Sequence, residues 1–308
     1  MTEAAAAPRA GRPGRLVWGR LMRHRLAQVS LVFLTILLVL SLCAPLIAEL
    51  RGIDPAATDL FRRFEPPSAE YWLGTDDLGR DLFQRLLDGG RVSLLVGIAG
   101  AFLSAVIGAL IGVVSGYLGG RLDTLLMRLT DGVIALPLLP LLIVLAAVDP
   151  SKIGVPAEVA RSEAFSLYRI VVIVALTGWT TVARLVRAET LSLKARDFTR
   201  AALALGARPE RIMFRHILPN TAGTLVVATT LSVGTLILLE STLSFLGLGT
   251  QPPAASWGNM LTGAQELLQQ APVLALLPGL LIFLTVIAFN FLGDGLQDAL
   301  DPRSERRT

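Results

Sequence analysis

ARDFTRAALALGARPERIMFRHILPN, residues 195–220, lies between two long apolar runs and carries five arginines. Phe198, Ala201, Ala202 and Leu205 fall on one side of a helix whose N-cap is predicted at Asp197. Gly206 supplies the left-handed residue that ends such a helix. Pro209 suits the first turn of a second helix, and Glu210 suits its N-terminus. Ile212, Met213, His216 and Ile217 form another apolar-leaning face, and Pro219 leads into the next apolar run. A basic amphipathic hairpin of this kind can lie on lipid. It can also be a handle that a membrane protein presents to a soluble partner.

The flanking runs decide between a soluble chain and a membrane chain. Of the 308 residues, 53% are hydrophobic and 17% charged, and the mean hydropathy is +0.62. That is too apolar for a soluble globular domain. Spans need about 20 apolar residues each. Six candidates meet this: Val29–Ile47, Val92–Tyr117, Leu125–Val148, Ile170–Val186, Gly223–Phe245 and Val273–Leu292. None alternates with a two-residue period, so helices are expected rather than a barrel. The first run is too long for a cleaved signal and ends without a small-x-small site. Leu42 before Cys43 argues against a lipid-anchored cysteine. Cys43 is the sole cysteine, so it forms no internal disulfide.

Charge sets the expected orientation. Arg9, Arg12, Arg15, Arg20, Arg23 and Arg25 precede the first span, against one acid, Glu3. Arg187, Lys194, Arg196, Arg200, Arg208, Arg211 and Arg215 follow the fourth. The loop after the first span is acidic, with Asp54, Asp59, Glu65, Glu70, Asp76, Asp77, Asp81 and Asp88. The positive-inside rule places both termini and the 195–220 hairpin in the cytoplasm. The same rule accounts for the basic excess, and no nucleic-acid recognition motif accompanies it.

Residues 1–15 have a disorder-prone composition, and Trp18–Leu26 is read as an interfacial helix. In the loop 49–91, residues 71–81 read as a turn feeding a short helix that runs to Leu87, where Gly89-Gly90 stops it. Tyr71 and Trp72 suit the membrane interface. Gly108, Gly112, Gly116 and Gly120 recur every four residues, with Ser104 and Gly100 upstream. One face of the second span is thereby stripped of side chains. This predicts close helix packing, or a smooth wall to a solute path. Asp131, Glu240 and Asn290 lie within spans, where a charge costs about 2.5–3.5 kcal/mol on insertion scales. They are candidates for a translocation path or for polar contacts between helices.

The hairpin also carries a resemblance. Ala201, Ala202, Gly206, Leu218 and Pro219 match the coupling motif of ABC importer permeases in residue type and spacing. HILPN (216–220), WLGTDDLGRDLF (72–83), LSFLGLG (243–249), SWGNML (256–261) and NFLGDGLQDALDP (290–302) resemble the dipeptide/oligopeptide/nickel branch. Together they run from Trp72 to Pro302. The chain resembles the C-type permease subunit of that family. One position departs: Arg200 stands where the general motif has Glu, which reverses the charge offered to a partner there.

The resemblance implies an all-α integral membrane fold with six transmembrane helices, the type I ABC importer permease fold, with both termini cytoplasmic. It divides the chain into a cytoplasmic tail and interfacial helix (1–27), a first span (28–48), an extracytoplasmic loop (49–91), a core permease domain (92–293) and a cytoplasmic tail (294–308). It implies a multi-pass protein of the bacterial inner membrane that imports di- or oligopeptides. The partners implied are a homologous second permease subunit, two ATPase subunits and an extracytoplasmic solute-binding protein. ATPase coupling would fall to Arg200, Ala201, Ala202, Gly206, Ala207, Ile212, His216, Leu218 and Pro219. Binding-protein contact is a candidate role for Asp76, Asp77, Arg80 and Asp81; a solvated loop face or a purely loop-shaping role is the alternative. The chain has no GxxxxGK[ST] phosphate loop, so ATP and Mg are expected on the partner ATPases, with no catalytic residue here. Its two histidines and one cysteine predict no metal site. Import of nickel chelates by the same machine is the near alternative. An ion-coupled secondary transporter is the distant one.

Overall fold

The computed structural model describes residues 13–160 and 162–301. Arg9, Arg12 and the tail from residue 302 onward, including Pro302 of the last motif, lie outside the described residues. Among those described there is no strand, only an isolated bridge between Thr75 and Asp81. The helices are α1 (Pro13–Leu21), α2 (Arg25–Leu42), α3 (Ala44–Arg51), α4 (Leu82–Leu118), α5 (Gly120–Ala135), α6 (Leu138–Ala147), α7 (Ala157–Ala160), α8 (Glu163–Lys194), α9 (Asp197–Ala204), α10 (Pro209–Arg211), α11 (Ala222–Phe245), α12 (Ala264–Leu267) and α13 (Val273–Leu300). Five helical stretches are long and apolar enough to cross a membrane: α2, α4, α8, Pro209–Phe245 and α13. The pair α5 and α6 makes a sixth if counted as one span, but it is bent by 90°.

That bend divides the third expected span, Leu125–Val148, into two helices. Leu136 is extended, and Pro137 follows it. Proline disfavours helix in the residue before it and removes an amide donor, so the helix breaks there. The first span also ends early. The helix stops at Leu42, and Pro45 starts the separate α3, which closes on left-handed Gly52.

Gly89-Gly90 does not stop a helix. The short loop helix and the second span are one 37-residue helix, α4, N-capped by the Asp81 carboxylate accepting from the Gln84 amide at 2.9 Å. A Cβ on Gly89 would sit 3.2 Å from the Ser256 and Trp257 backbone, and one on Gly90 would meet Ser41 and the Trp257 ring. The pair is spent on close approach, which outweighs the propensity cost of about 1 kcal/mol per glycine.

The four-residue glycine row faces α8. A Cβ on Gly108, Gly112 or Gly116 would come within 2.6–2.9 Å of α8 atoms. Ser104 joins the seam by donating to the Ala175 carbonyl at 3.3 Å. Dispersion between closely approaching backbones holds such helices where no water drives them together. Gly120 is the exception and does not pack. With Gly119 it takes positive φ, +67° and +62°, and nothing lies within 4 Å of its Cβ position. The two form the tight turn between α4 and α5.

The main core gathers side chains of α4, α8, α11 and α13, with Trp257 and Leu142 wholly buried in it. Many large apolar side chains on the long helices stay exposed, including Phe102 on α4, Val172 on α8 and Phe283 on α13. This is the surface that lipid or another membrane subunit covers. One end of the bundle carries residues 195–220 (the hairpin end). The other carries the loops 52–81 and 246–272 (the loop end).

Candidate functional site

At the hairpin end, α9 runs from Asp197 to Ala204. Its N-cap is Arg196 rather than Asp197, and no side chain caps it. Thr199 anchors the helix instead: it is buried, and its hydroxyl donates to the Leu193 carbonyl at 2.8 Å. The helix closes with paired bonds, from the Ala207 amide to the Ala202 carbonyl at 3.1 Å and from the Gly206 amide to the Leu203 carbonyl at 2.9 Å. Gly206 takes φ +79°, the conformation this closure needs.

The second half of the hairpin is bound into the bundle. Pro209 stands at N1 of α10, and the chain continues through a π turn, Ile212–Ile217, and a 3-10 turn, Leu218–Thr221, into α11. Pro219 has no amide to give. The side chain of Asn220 covers part of the turn instead, its Nδ2 donating to the His216 carbonyl at 2.6 Å. Ile212, Met213 and Ile217 are buried, Met213 against Val113, Val182 and Val186. Ile212, expected among the coupling residues, is 0% exposed and cannot touch a partner. It is an anchor. His216 and Leu218 are half-buried. The free surface is the α9 face and its turn: Arg200, Ala201 and Pro219 are exposed, Ala202 and Ala207 half-exposed, and Leu203 and Leu205 are 60% and 88% exposed. The hairpin is thus a rigidly seated base with an uncovered apolar tip ringed by arginines.

The in-span polar residues separate into three situations. Glu240 is wholly buried, and its two oxygens are used differently. The Ser244 hydroxyl donates to Oε1 at 2.7 Å, and the Ser93 hydroxyl to Oε2 at 2.9 Å. Each serine oxygen also accepts a loop amide: Thr250 at 3.0 Å for Ser244, and Trp257 at 3.2 Å for Ser93. A carboxylate on α11 therefore ties α4 to residues 250–257 through two serine relays. Trp257 completes the join by donating its Nε1 to the Leu86 carbonyl at 3.0 Å. Ser93 was not singled out from the sequence, where a lone serine carries no signal, and Trp257 entered only as part of SWGNML (256–261), with no role of its own.

Asp131 is met by Arg184 of α8 at 2.5 Å, with both side chains about half-exposed. Asn290 is exposed on α13 and meets neither of the other two. Nearer the hairpin end, Arg187 holds Asp123 with two bonds of 2.6 Å, and the Ser115 hydroxyl donates to the same carboxylate. Beside the Asp131–Arg184 pair the end of α5, the start of α6, α8 and α11 border a cavity of about 420 Å³. Its walls are mainly apolar, with hydroxyls from Thr177, Thr180, Thr181, Ser232 and Thr235. That is the size and lining of a small-solute site.

At the loop end, the 76–81 aspartates are not a solvated face. Asp76 and Asp81 are buried. Asp76 accepts from the Leu78 and Arg80 amides at 2.9 Å, and from the Nε of Arg80 at 2.8 Å and of Arg85 at 3.2 Å. Asp81 takes Arg51 at 2.7 Å besides capping α4. These carboxylates shape the loop and have no face left for a protein partner. Asp77 is 44% exposed and remains able to meet one, while Arg80 is mostly covered.

With a bent span, a basic hairpin and an acidic, internally braced loop in place, sequence comparison decides the family. Residues 108–306 match the model of the binding-protein-dependent transport system inner membrane component. The chain belongs to that family. Residues 12–67 match the N-terminal transmembrane domain of oligopeptide transport permease C. The chain is 38% identical over 284 residues to the oligopeptide transport system permease protein OppC of Bacillus subtilis, covering 92% of this chain and 88% of the relative. It is 40% identical over 295 residues to the glutathione transport system permease protein GsiD of Escherichia coli, covering 94% and 91%. It is therefore an inner-membrane permease of the peptide type of ABC importer, a transport subunit and not an enzyme. The ion-coupled alternative falls with that assignment.

Proposed function

We propose that this chain forms one half of the path of an ATP-driven importer of short peptides and takes its power stroke through residues 195–207. The observation that carries the reading is the uncovered apolar tip of the hairpin, with Leu205 88% exposed at the end of a helix whose base is buried. An apolar knob on a rigid mount transmits force when a partner's groove covers it. The proposal places this end, and both termini, in the cytoplasm, in keeping with the basic residues there. Two ATPase subunits bind ATP and Mg, one on this hairpin and one on that of a homologous second permease. An extracytoplasmic binding protein delivers the solute at the loop end, where Asp77 is available for contact. The cavity bordered by α5, α6, α8 and α11 contributes a mainly apolar stretch of the path with a few hydroxyl-bearing residues. Coupling of this kind joins two distant equilibria through one bistable bundle.

Peptides are favoured over nickel chelates because the relatives' names specify an oligopeptide and glutathione, itself a peptide. The test is co-purification of the ATPase subunits with Leu203→Asp/Leu205→Asp, two substitutions at exposed positions. The variant is expected to insert and pair with the second permease but to lose the ATPases and peptide-stimulated hydrolysis. Retention of both would refute the docking role.

A further inference from the structure

Two ion pairs join α5 to α8, and they differ in kind. Asp123–Arg187 is bidentate and seated against α4, with the carboxylate 17% exposed and the guanidinium 31%. Asp131–Arg184 rests on one contact of 2.5 Å, with side chains 59% and 50% exposed. Between them Thr130 is the one α5 side chain that is buried. Helix α5 is therefore fixed at its start and loosely held at its far end. That far end leads straight into the break at Leu136-Pro137 and the 90° bend.

The loose pair also stands beside one edge of the cavity. Val133, Ile134, Leu136 and Leu138 line it from the α5–α6 side, and Thr181 and Leu185 line it from α8. Asp131 precedes the first group by half a turn on a helix that starts at the hairpin end. Arg184 stands between the lining residues Thr181 and Leu185, at the end of the α8 lining nearer the hairpin. The pair is a rim on the hairpin side of the cavity. Charges facing lipid this openly are costly, so the rim must face protein or water. In water such a pair contributes little and parts readily, whereas the bidentate staple resists rupture. A break beside a weak contact, below a firm one, is the geometry of a hinged flap.

We propose that Asp131 and Arg184 are gating residues: a releasable latch that closes the cavity on its hairpin side and must part for solute to leave. The C-terminal half of α5 swings about the Asp123–Arg187 staple as the latch opens, the Leu136-Pro137 break isolating α6 from the motion. This rests on the import reading above, which supplies the direction of passage.

The test uses the complete transporter in lipid vesicles, with the second permease, the ATPases and the binding protein, and radiolabelled trialanine. In a Cys43→Ser background, which has no other thiol in this chain, Asp131→Cys/Arg184→Cys is compared with Asp123→Cys/Arg187→Cys. Each is treated with a short, reducible bifunctional thiosulfonate or its monofunctional counterpart. The expected result is that cross-linking 131 to 184 cuts ATP-driven uptake at least tenfold, reversed by reductant, while cross-linking 123 to 187 changes it less than twofold. Equal uptake with the 131–184 link in place would overturn the latch. If the unlinked 131/184 variant is itself inactive, the charge swap Asp131→Arg/Arg184→Asp decides. Uptake restored by the swap, where each single reversal abolishes it, supports the latch; a swap that assembles but transports nothing overturns it. Absence of uptake by the unsubstituted complex would refute the peptide-import reading instead.

Discussion

Ser93→Ala tests the reasoning about the Glu240 junction most directly, because one hydroxyl serves two buried partners. It donates to the Glu240 carboxylate at 2.9 Å and accepts the Trp257 amide at 3.2 Å, with no exposed surface on Ser93, Glu240 or Trp257. A buried hydrogen bond contributes about 0.5–1.5 kcal/mol net, and a buried amide left without an acceptor costs about 1–3 kcal/mol. The two losses share one group and are not additive. We therefore expect the loop to be held about 3 kcal/mol less tightly, which is about 100-fold in the opening equilibrium. Ser241→Ala is the control. Its hydroxyl is 3.5 Å from the same carboxylate, too long for a full bond, and its loss is expected to change opening less than about threefold. The assay is native-state hydrogen exchange in lipid discs. It follows the Met260 and Leu261 amides, whose acceptors Ser256 and Gly258 are untouched by either substitution. These amides report loop opening and not the deleted bond. Exchange in Ser93→Ala within threefold of Ser241→Ala, in a complex otherwise folded, would refute the claim that Glu240 anchors this loop to α4.

Gly112→Ala places a methyl 2.6 Å from the Ala183 carbonyl and 2.8 Å from the Val186 Cβ. Overpacking of about 1–3 kcal/mol exceeds the propensity gain, so the purified protein is expected to melt earlier. The same change at Gly120, where nothing is near, is expected to leave packing between the helices intact and to act only through the local turn. Gly79→Ala combines φ +75° with a Cβ 1.8 Å from the Asp59 carbonyl oxygen, and is expected to disorder the 59–81 loop, read as new protease cleavage there. Gly206→Pro cannot reach φ +79° and removes the amide that bonds Leu203. ATP hydrolysis should be uncoupled from peptide uptake while membrane insertion is unchanged; normal solute-stimulated hydrolysis in the variant complex would contradict this.

Most of the helical bundle was legible from local pattern. Apolar runs of span length, glycines every fourth residue and the Gly206 stop are short-range signals, and the backbone must satisfy its own hydrogen bonds in lipid. Gly89 and Gly90 misled for a related reason. The local rule for glycine is to end a helix, and only knowledge of Trp257, far away in sequence, reveals that space is needed there. For Asp76 and Asp81 a partner contact, a solvated face and a loop-shaping role all stayed open, because Arg80 is near in sequence but Arg51, 30 residues before Asp81, is not announced as a partner by any spacing.

Class, family and the approximate placement of the spans can be read from the residues in order. Each is written in composition or in contiguous motifs, and needs no knowledge of which helix neighbours which. The tertiary structure alone decided what each polar group does. A carboxylate in a span reads the same from sequence whether it is sealed among serines, as Glu240 is, or left open to a single arginine, as Asp131 is. The difference lies in local dielectric and partner geometry, which arise only when α4, α5, α8 and α11 are brought together.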